Sequence, residues 1–280
     1  MHDLLTGLGF NLATNLGIFW VCTAWTFLVV TIIWVIGIFQ GNHSMMDGYY
    51  GFGYAIPVWI AYLLTGAASP TAAALLLMVS LHGCRLGFYL SKRWVGYRKI
   101  NGGDQRYLGF VKKFAPGYWW KSFFAVMEPQ AIVIALIGLP SVWGVLGNQV
   151  PGATLSPLAF LGMLVFGIGY YFETVADGQL QAFKADPNNK GRYLRTGVWT
   201  DTRHPNYFGN TTVWWGIWLV AVAGNPAIWW TVAGPVLNTI MLTGILGRAF
   251  QDKYMGSRPE YKKVIEETNS FLPIPKKRTI

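Results

Sequence analysis

Residues 12–39 read LATNLGIFWVCTAWTFLVVTIIWVIGIF, a run of 28 residues without Asp, Glu, Lys or Arg. A helix needs about 20 apolar residues to cross the hydrocarbon core of a bilayer. Further apolar runs follow, and we expect seven transmembrane helices near residues 12–39, 50–65, 70–91, 123–146, 155–182, 207–223 and 227–250. The sequence therefore predicts an all-α integral membrane protein in which residues 1–280 form a single membrane-embedded domain.

The composition agrees with a membrane protein. Hydrophobic residues make up 53% of the chain and charged residues only 12%, whereas about a quarter of the residues in a soluble domain are charged. The 14 Trp and 14 Tyr residues suit a protein with two membrane interfaces. No His or Cys cluster has metal-ligand spacing and no glycine-rich nucleotide pattern occurs, so we expect neither a metal site nor a Rossmann or P-loop fold.

The basic residues are unevenly distributed. All 22 Lys and Arg residues follow position 84, and all except Arg85 lie in three blocks, at residues 92–121, 184–203 and 248–278. Because loops rich in Lys and Arg stay in the cytoplasm, we expect the N-terminus outside and the C-terminus in the cytoplasm. The charges flank apolar spans, so the net charge of +10 indicates orientation and phosphate binding rather than nucleic-acid binding.

Ionisable residues inside predicted spans are costly unless they face a cavity or a partner. In the fifth span, Glu173, Asp177, Gln181 and Lys184 share one helix face. This stripe predicts a water-accessible or ligand-filled groove. The alternative, a helix end that emerges into solvent, explains Lys184 better than it explains Glu173.

The third span carries two further features. Gly83 and Gly87 predict close packing against another helix. Arg85 has two interpretations, because an arginine near a helix end either extends its guanidinium to the interface or binds a ligand. Asp47, the only acid between residues 4 and 103, precedes the second span.

The densest polar segment joins the fifth and sixth spans, where residues 193–209 read YLRTGVWTDTRHPNYFG. Its Arg-His-Pro-x-Tyr core resembles the signature of two groups of membrane enzymes. The isoprenylcysteine and phospholipid methyltransferases use S-adenosylmethionine, whereas the steroid 5-alpha-reductase family and the sterol reductases use NADPH. In both groups a cationic hairpin at the cytoplasmic face offers arginine side chains to an anionic cofactor.

Several segments favour the reductases. They are Arg85-Leu86, GDQRY at 103–107, RHPNYFG at 203–209, WWG at 214–216 and the ending from Asp252 to Pro273. The methyltransferases usually have paired glutamates near position 252, where this chain has Gln251-Asp252-Lys253. Over about residues 80–273 the chain thus resembles the steroid 5-alpha-reductase family, in particular its bacterial, 3-oxo-5-alpha-steroid 4-dehydrogenase-like members of the DUF1295 type.

The resemblance implies a set of NADPH-binding residues, most of them in a C-terminal half at about residues 155–273. They are Arg85, Tyr89, Asp177, Lys184, Arg192, Arg195, Asn206, Tyr207, Asn210, Arg248 and Tyr254. Asn210 departs from the family, which commonly has an acid there, so a contact on the nicotinamide side is altered. The family also places a Glu on the second span and a Tyr on the third near the substrate carbonyl. By spacing, Asp47 and His82 occupy these places, with Tyr50 as a third catalytic candidate.

By resemblance, we expect NADPH-dependent reduction of a carbon–carbon double bond in an apolar enone, most notably the Δ4 bond of a 3-oxo-Δ4 steroid. Asp47, kept protonated, and His82 would together stabilise the enolate oxygen. The substrate would enter from membrane lipid, and we expect a monomer in a bacterial inner membrane. An S-adenosylmethionine-dependent methyltransferase is the alternative. A binding protein or transporter is a third class, although transporters usually show repeats and broken spans.

Overall fold

The computed structural model describes residues 2–101, 104–245, 252 and 259–275. Within these ranges the regular structure is helical, apart from one isolated β-bridge between Thr202 and Asn269. This confirms the all-α prediction. The α-helices are α1 His2–Gly7, α2 Asn15–Gln40, α3 Met46–Thr65, α4 Pro70–Asn101, α5 Gln105–Lys113, α6 Tyr118–Ser122, α7 Glu128–Ile137, α8 Leu139–Gly147, α9 Pro157–Ala185, α10 Pro205–Gly224, α11 Ala233–Ile240 and α12 Pro259–Glu267.

Shorter helical turns complete the described elements. The 3-10 helices are Pro187–Asn189, Gly197–Trp199 and Pro226–Val232, and the π-helical turns are Phe123–Met127 and Met241–Ile245. The ends of α2 show how the sequence sets the boundaries. The Thr14 hydroxyl accepts a hydrogen bond from the Gly17 backbone N–H at 3.1 Å, and Gly41 ends the helix with φ 64°, a conformation that favours glycine.

Four helices in the described ranges are long and apolar enough to cross a membrane: Asn15–Gln40, Pro70–Gly96, Tyr118–Ile137 and Pro157–Ala185. Large apolar side chains on them, such as Trp20, Leu28 and Leu164, are more than half exposed, as lipid-facing residues of a membrane protein are. As far as the described residues extend, helical segments also lie at the three other predicted positions, and their crossing of the membrane stays a prediction.

The fourth predicted span differs from the structure. The prediction ran over residues 123–146, whereas the helical segment begins at Tyr118 and ends at Ile137, where Gly138 separates it from α8. Pro140 lies in the first turn of α8 and has no N–H to donate to a carbonyl of α7. The proline therefore favours two short helices over one continuous one.

The chain forms two compact units. The first comprises Met1–Ala159 and Val220–Thr231, and the second comprises Phe160–Leu219 and Val232–Ile280.

In the first unit, α3 and α4 pack with their backbones in close contact. A Cβ atom on Gly51 would lie 2.2 Å from the carbonyl oxygen of Gly83 and 2.2 Å from the backbone nitrogen of Gly87. No residue larger than glycine fits at position 51, which confirms the close helix packing predicted from Gly83 and Gly87. Gly48 lies opposite Ser91 in the same pair of helices.

In the second unit, α9 and α10 form a similar glycine contact. A Cβ atom on Gly169 would lie 2.5 Å from the backbone nitrogen of Val213, and one on Gly209 would lie 2.3 Å from the backbone nitrogen of Glu173. Gly216 extends the contact towards Phe166. The side chains that flank these glycines are consequently held within hydrogen-bonding distance of the neighbouring helix.

Candidate active site

In the first unit, Asp47 is the centre of a polar cluster at the start of α3. Its Oδ2 accepts a hydrogen bond from Arg93 Nη2 at 3.0 Å and another from Arg106 Nη2 at 2.5 Å. Its Oδ1 accepts a hydrogen bond from the Tyr107 hydroxyl at 3.1 Å. Arg106 is held in turn by Asp104, through Nε at 3.0 Å and Nη2 at 2.9 Å. Asp47 therefore belongs to a network of two carboxyl groups and two guanidinium groups.

The charges of this network shift the pKa values of Arg106 and Asp104. Burial lowers the pKa of Arg106, but hydrogen bonding to Asp104 and the charges of Asp47 and Asp104 raise it above its usual range. Burial raises the pKa of Asp104, but the hydrogen bonds and the charge of Arg106 bring it below its usual range. Both oxygens of Asp47 already accept hydrogen bonds, Oδ2 from the two arginines and Oδ1 from Tyr107. The expected protonated Asp47, donating to a substrate carbonyl, does not fit this pairing.

Two tyrosine hydroxyls lie next to this network. The Tyr107 hydroxyl is 3.2 Å from Gln130 Oε1, and the Tyr50 hydroxyl donates to the same oxygen at 3.1 Å. Tyr107 is buried, and burial together with the charge of Asp47 raises its pKa well above the ordinary value. Its hydroxyl therefore keeps its proton. The sequence predicted Tyr50 as a catalytic candidate, whereas Tyr107 entered only as part of the motif at residues 103–107. The contact of Tyr107 with Asp47 could not be predicted, because no local spacing relates the two residues.

His82 does not lie beside Asp47. Gly48 is opposite Ser91 and Gly83 is opposite Ala55, so the fully buried His82 is level with about residue 56 of α3. This is about nine residues from Asp47, or about 13 Å along the helix axes. One substrate carbonyl cannot contact both side chains, which corrects the expectation that they share one role.

The two cofactor candidates of the first unit continue the face of His82. Arg85 and Tyr89 follow it by three and seven residues on α4, and Arg93 follows by eleven, so the four side chains lie on one side of the helix. Arg85 and Tyr89 are partly exposed. This polar stripe ends at the Asp47 network.

In the second unit, two buried carboxylates of α9 are paired with amides. Asn206 Nδ2 donates to Asp177 Oδ1 at 3.2 Å, and Asn210 Nδ2 donates to Glu173 Oε1 at 3.0 Å. Asn238 Nδ2 of α11 donates to Asn210 Oδ1 at 3.0 Å. Glu173 and Asp177 are only 2% and 5% exposed, so these contacts offset part of the cost of burying two acids.

The polar stripe of the fifth predicted span therefore has two parts. Gln181 and Lys184 are exposed, as expected of a helix end that emerges into solvent. Glu173 and Asp177 instead lie against the polar side chains of α10. As the sequence suggested, Lys184 belongs to an exposed helix end, whereas Glu173 does not.

Within the second unit, the Arg-His-Pro segment binds Asp252 and the end of the C-terminal helix α12. Arg203 binds Asp252 through Nε at 3.1 Å and Nη2 at 2.8 Å, and its Nη1 donates to the Thr268 carbonyl at 2.6 Å. His204 Nε2 and the Tyr261 hydroxyl also contact Asp252, at 3.4 and 3.1 Å. Burial raises the pKa of Asp252, but the hydrogen bonds from His204 and Arg203 bring it well below the usual range. Arg203 is therefore a structural residue in this unit.

The loop before this segment carries the remaining cationic candidates. Arg192 is exposed, whereas Arg195 forms an ion pair with Glu267. Gly197 has φ +62°, and a Cβ atom there would overlap the Gln179 side chain, so glycine is required for the loop to lie on α9. The Tyr207 ring stacks on His204 at 5.2 Å. Arg248 and Tyr254 lie outside the described residues.

The residues of the second unit fit a nucleotide cofactor. The amides of Asn206 and Asn210 and the carboxylates beside them offer the donors and acceptors that ribose hydroxyls and a carboxamide need. Lys184 and Arg192 are exposed and offer positive charge for phosphates. Arg195 contributes only where a phosphate displaces Glu267 from its guanidinium.

Comparison with known proteins identifies a family for this chain. The pattern of the family described as "Protein of unknown function (DUF1295)" matches residues 33–268. The "Probable O-methyltransferase ustE" of Ustilaginoidea virens is 34% identical over 68 residues, which is 24% of this chain and 24% of that protein. No solved structure matches. Because the family pattern covers most of the sequence, this chain belongs to the DUF1295 family.

Proposed function

We propose that this protein reduces the carbon–carbon double bond of an apolar enone with NADPH, and that 3-oxo-Δ4 steroids are the first substrates to test. The proposal includes seven membrane-spanning helices with the N-terminus outside. Its support from sequence is the resemblance of residues 80–273 to the steroid 5-alpha-reductase family. The observation that carries it further is the environment of Asp252.

Asp252 bears on the choice between the two cofactors. The methyltransferases that this chain resembles usually have paired glutamates near this position, whereas here the first acid is replaced by Gln251. The remaining acid is bound by Arg203, His204 and Tyr261. A carboxylate with three protein donors is a poor ligand for a further cationic or donor group, which favours NADPH over S-adenosylmethionine.

The first unit supplies candidates for carbonyl activation. When bound, NADPH supplies a hydride for the β-carbon of the enone, so negative charge develops on the carbonyl oxygen. Tyr50 is more exposed than Tyr107, and we assign its hydroxyl as the donor to that oxygen. One such donor contributes a factor of about 10²–10³ to the rate. In the structure this hydroxyl donates to Gln130 Oε1, which the Tyr107 hydroxyl also contacts. It would turn its proton from Gln130 to the carbonyl oxygen when the enone binds, and transfer of a proton from water to the α-carbon completes the reduction.

A cofactor titration tests the proposal directly. The protein purified in detergent is heated with NADPH, NADH or S-adenosylmethionine, and a ligand that binds the folded state raises the melting temperature. We expect NADPH to give the largest increase. Progesterone and testosterone are then added, and the 5α-reduced products are sought by mass spectrometry. If folded protein consumes no NADPH with any of several enones, the assignment is wrong.

A lipid or isoprenylcysteine methyltransferase is the second candidate, and one observation favours it. The relative with 34% identity over 68 residues is named a probable O-methyltransferase, although this chain spans only about a quarter of its length. The same titration separates the two functions. A melting-temperature increase with S-adenosylmethionine and none with NADPH would establish the methyltransferase in place of the reductase.

A further inference from the structure

We propose that the α5–α6 corner, residues 105–122, binds the headgroup phosphate of an anionic phospholipid at the membrane surface. The corner leads directly into the apolar helix Tyr118–Ile137, and it follows the apolar helix Pro70–Gly96. Both helices are long enough to cross a membrane, so the corner joins two candidate spans and lies at the level of the lipid headgroups. The proposal is independent of the enzymatic function.

Helix α5 has one aromatic face and one basic face. Tyr107, Phe110 and Phe114 are buried or half-buried and recur at spacings of three and four residues. Their rings contact one another in sequence, with centroids 5.9 and 6.3 Å apart. Lys112 and Lys113 lie in the last turn of the helix and are exposed. An amphipathic helix of this kind lies in the plane of the membrane interface and directs its charges to the headgroups.

Contacts with α2 and with the loop after it hold α6 in place. Trp34 Nε1 donates to the Trp119 carbonyl at 3.0 Å and to Ser122 Oγ at 3.2 Å. The Tyr118 hydroxyl lies 2.5 Å from His43 Nδ1. Tyr118 and Ser122 are one turn apart on the same face of the helix, and this face is the one turned to the protein. The Trp119 side chain is 61% exposed and is thus available to lipid.

Two ammonium groups of the corner lie beside aromatic rings. Lys113 Nζ is 5.4 Å from the centre of the Phe114 ring, and Lys121 Nζ is 5.7 Å from the centre of the Trp120 ring. Lys121 Nζ also donates to the Pro116 carbonyl at 2.8 Å. An ammonium group has three N–H donors, so this contact leaves Lys121 able to bind a phosphate oxygen.

The charge and the exposed rings together fit a lipid. Residues 105–127 contain Arg106 and three lysines but no Asp or Glu. Arg106 is paired with two acids of its own unit, so the lysines carry the remaining positive charge. A phospholipid offers its phosphate to the lysines and its acyl chains to Trp119 and Phe124, which are 61% and 69% exposed. A soluble acidic protein would match the lysines and leave these rings at the start of a membrane span unmatched.

The experiment measures lipid binding to the full-length protein in a neutral detergent by native mass spectrometry. The probes are phosphatidylglycerol and phosphatidylcholine with the same acyl chains, so that only the headgroup differs. We expect the unmodified protein to bind phosphatidylglycerol more tightly. The preference should become smaller as the ionic strength is raised, because salt screens the attraction between exposed charges.

A double substitution in α5 locates the binding site. Lys112→Gln with Lys113→Gln removes two charges and should weaken phosphatidylglycerol binding about tenfold, with phosphatidylcholine binding unchanged. Lys262→Gln with Lys263→Gln is the matched control, because these are also adjacent exposed lysines on a short amphipathic helix, α12. The control pair should leave both affinities unchanged. Trp119→Ala should weaken the binding of both lipids to the same extent, because the ring contacts acyl chains.

Three outcomes would overturn the proposal. The unmodified protein could bind the two lipids equally, the control pair could weaken phosphatidylglycerol binding as much as the α5 pair does, or the α5 pair could weaken the binding of both lipids equally. Melting temperatures in the same detergent show whether each variant is folded. If the α5 pair does not fold, Lys112→Gln alone is compared with Lys262→Gln by the same criteria. NADPH takes no part in these measurements, so failure here leaves the proposed function untouched.

Discussion

At the level of single residues, the proposed donor Tyr50 is held by Gln130, which also lies against the Tyr107 hydroxyl. Asp47 accepts hydrogen bonds from two arginines and a tyrosine, so its contribution is to orient Tyr107. A hydroxyl is available where the family resemblance suggested a carboxyl group. This makes tyrosine, and not aspartate, the first residue to substitute.

Tyr50→Phe removes the proposed donor and leaves the ring. We expect turnover with an enone to fall by a factor of about 10²–10³, with little change in NADPH affinity. Tyr62→Phe, another tyrosine of α3, is the control and should behave like the unmodified protein. Equal turnover for Tyr50→Phe and Tyr62→Phe would remove Tyr50 from the mechanism.

Asp252 makes the attachment of the C-terminal helix dependent on pH. Its pKa in the folded protein lies below the ordinary carboxyl value because His204 and Arg203 donate to it. The charged form therefore stabilises the fold above about pH 4, and this contribution is lost as the pH falls through the lowered pKa. We expect the melting temperature to fall more steeply below pH 4 in the unmodified protein than in Asp252→Asn.

A matched substitution separates this effect from general loss of charge. Asp186→Asn changes an exposed carboxyl group that precedes a 3-10 turn and should keep the pH profile of the unmodified protein. At neutral pH, Asp252→Asn should melt at a lower temperature than Asp186→Asn. The same profile for both variants would mean that the Arg203 contact adds nothing to stability.

At the level of secondary-structure elements, glycines allow two helix backbones to approach closely, and this approach brings side chains of the two helices into contact. Gly169 lies in the contact between α9 and α10, where a Cβ atom would be 2.5 Å from a backbone nitrogen. Gly169→Val forces the helices apart, at a cost of about 1–3 kcal/mol, and should lower the melting temperature. Gly167→Val is the control because a Cβ atom there meets nothing within 4 Å. Melting curves of the two variants in one detergent provide the measurement, and equal values would show that this contact tolerates a side chain.

The helices were predictable from sequence because the length of an apolar run and the polar residues that end it are local properties of the sequence. The packing of Gly83 and Gly87 was also predictable, since small residues four apart form a recognisable pattern. The contact of Tyr107 with Asp47 was not, because it joins residues 60 positions apart in sequence. The same holds for Asn210 and Glu173, which are 37 positions apart. Periodicity shows which residues share a face, but it gives no information on which two faces meet.

For the whole molecule, the distribution of charge predicts the topology. The proposed outside loop at residues 147–154 carries no Lys or Arg, whereas the proposed cytoplasmic loop at 184–206 carries five.

Single cysteines at Gln149 and Asn188, introduced after Cys22 and Cys84 are replaced by alanine, should therefore differ in reactivity. In intact cells, a maleimide that cannot cross the membrane should label Gln149→Cys and spare Asn188→Cys. Permeabilised cells are the control, in which both are labelled. The opposite pattern would invert the orientation and place the cofactor-binding candidates Arg192 and Arg195 away from cytoplasmic NADPH, so this measurement tests the topology and the proposed function together.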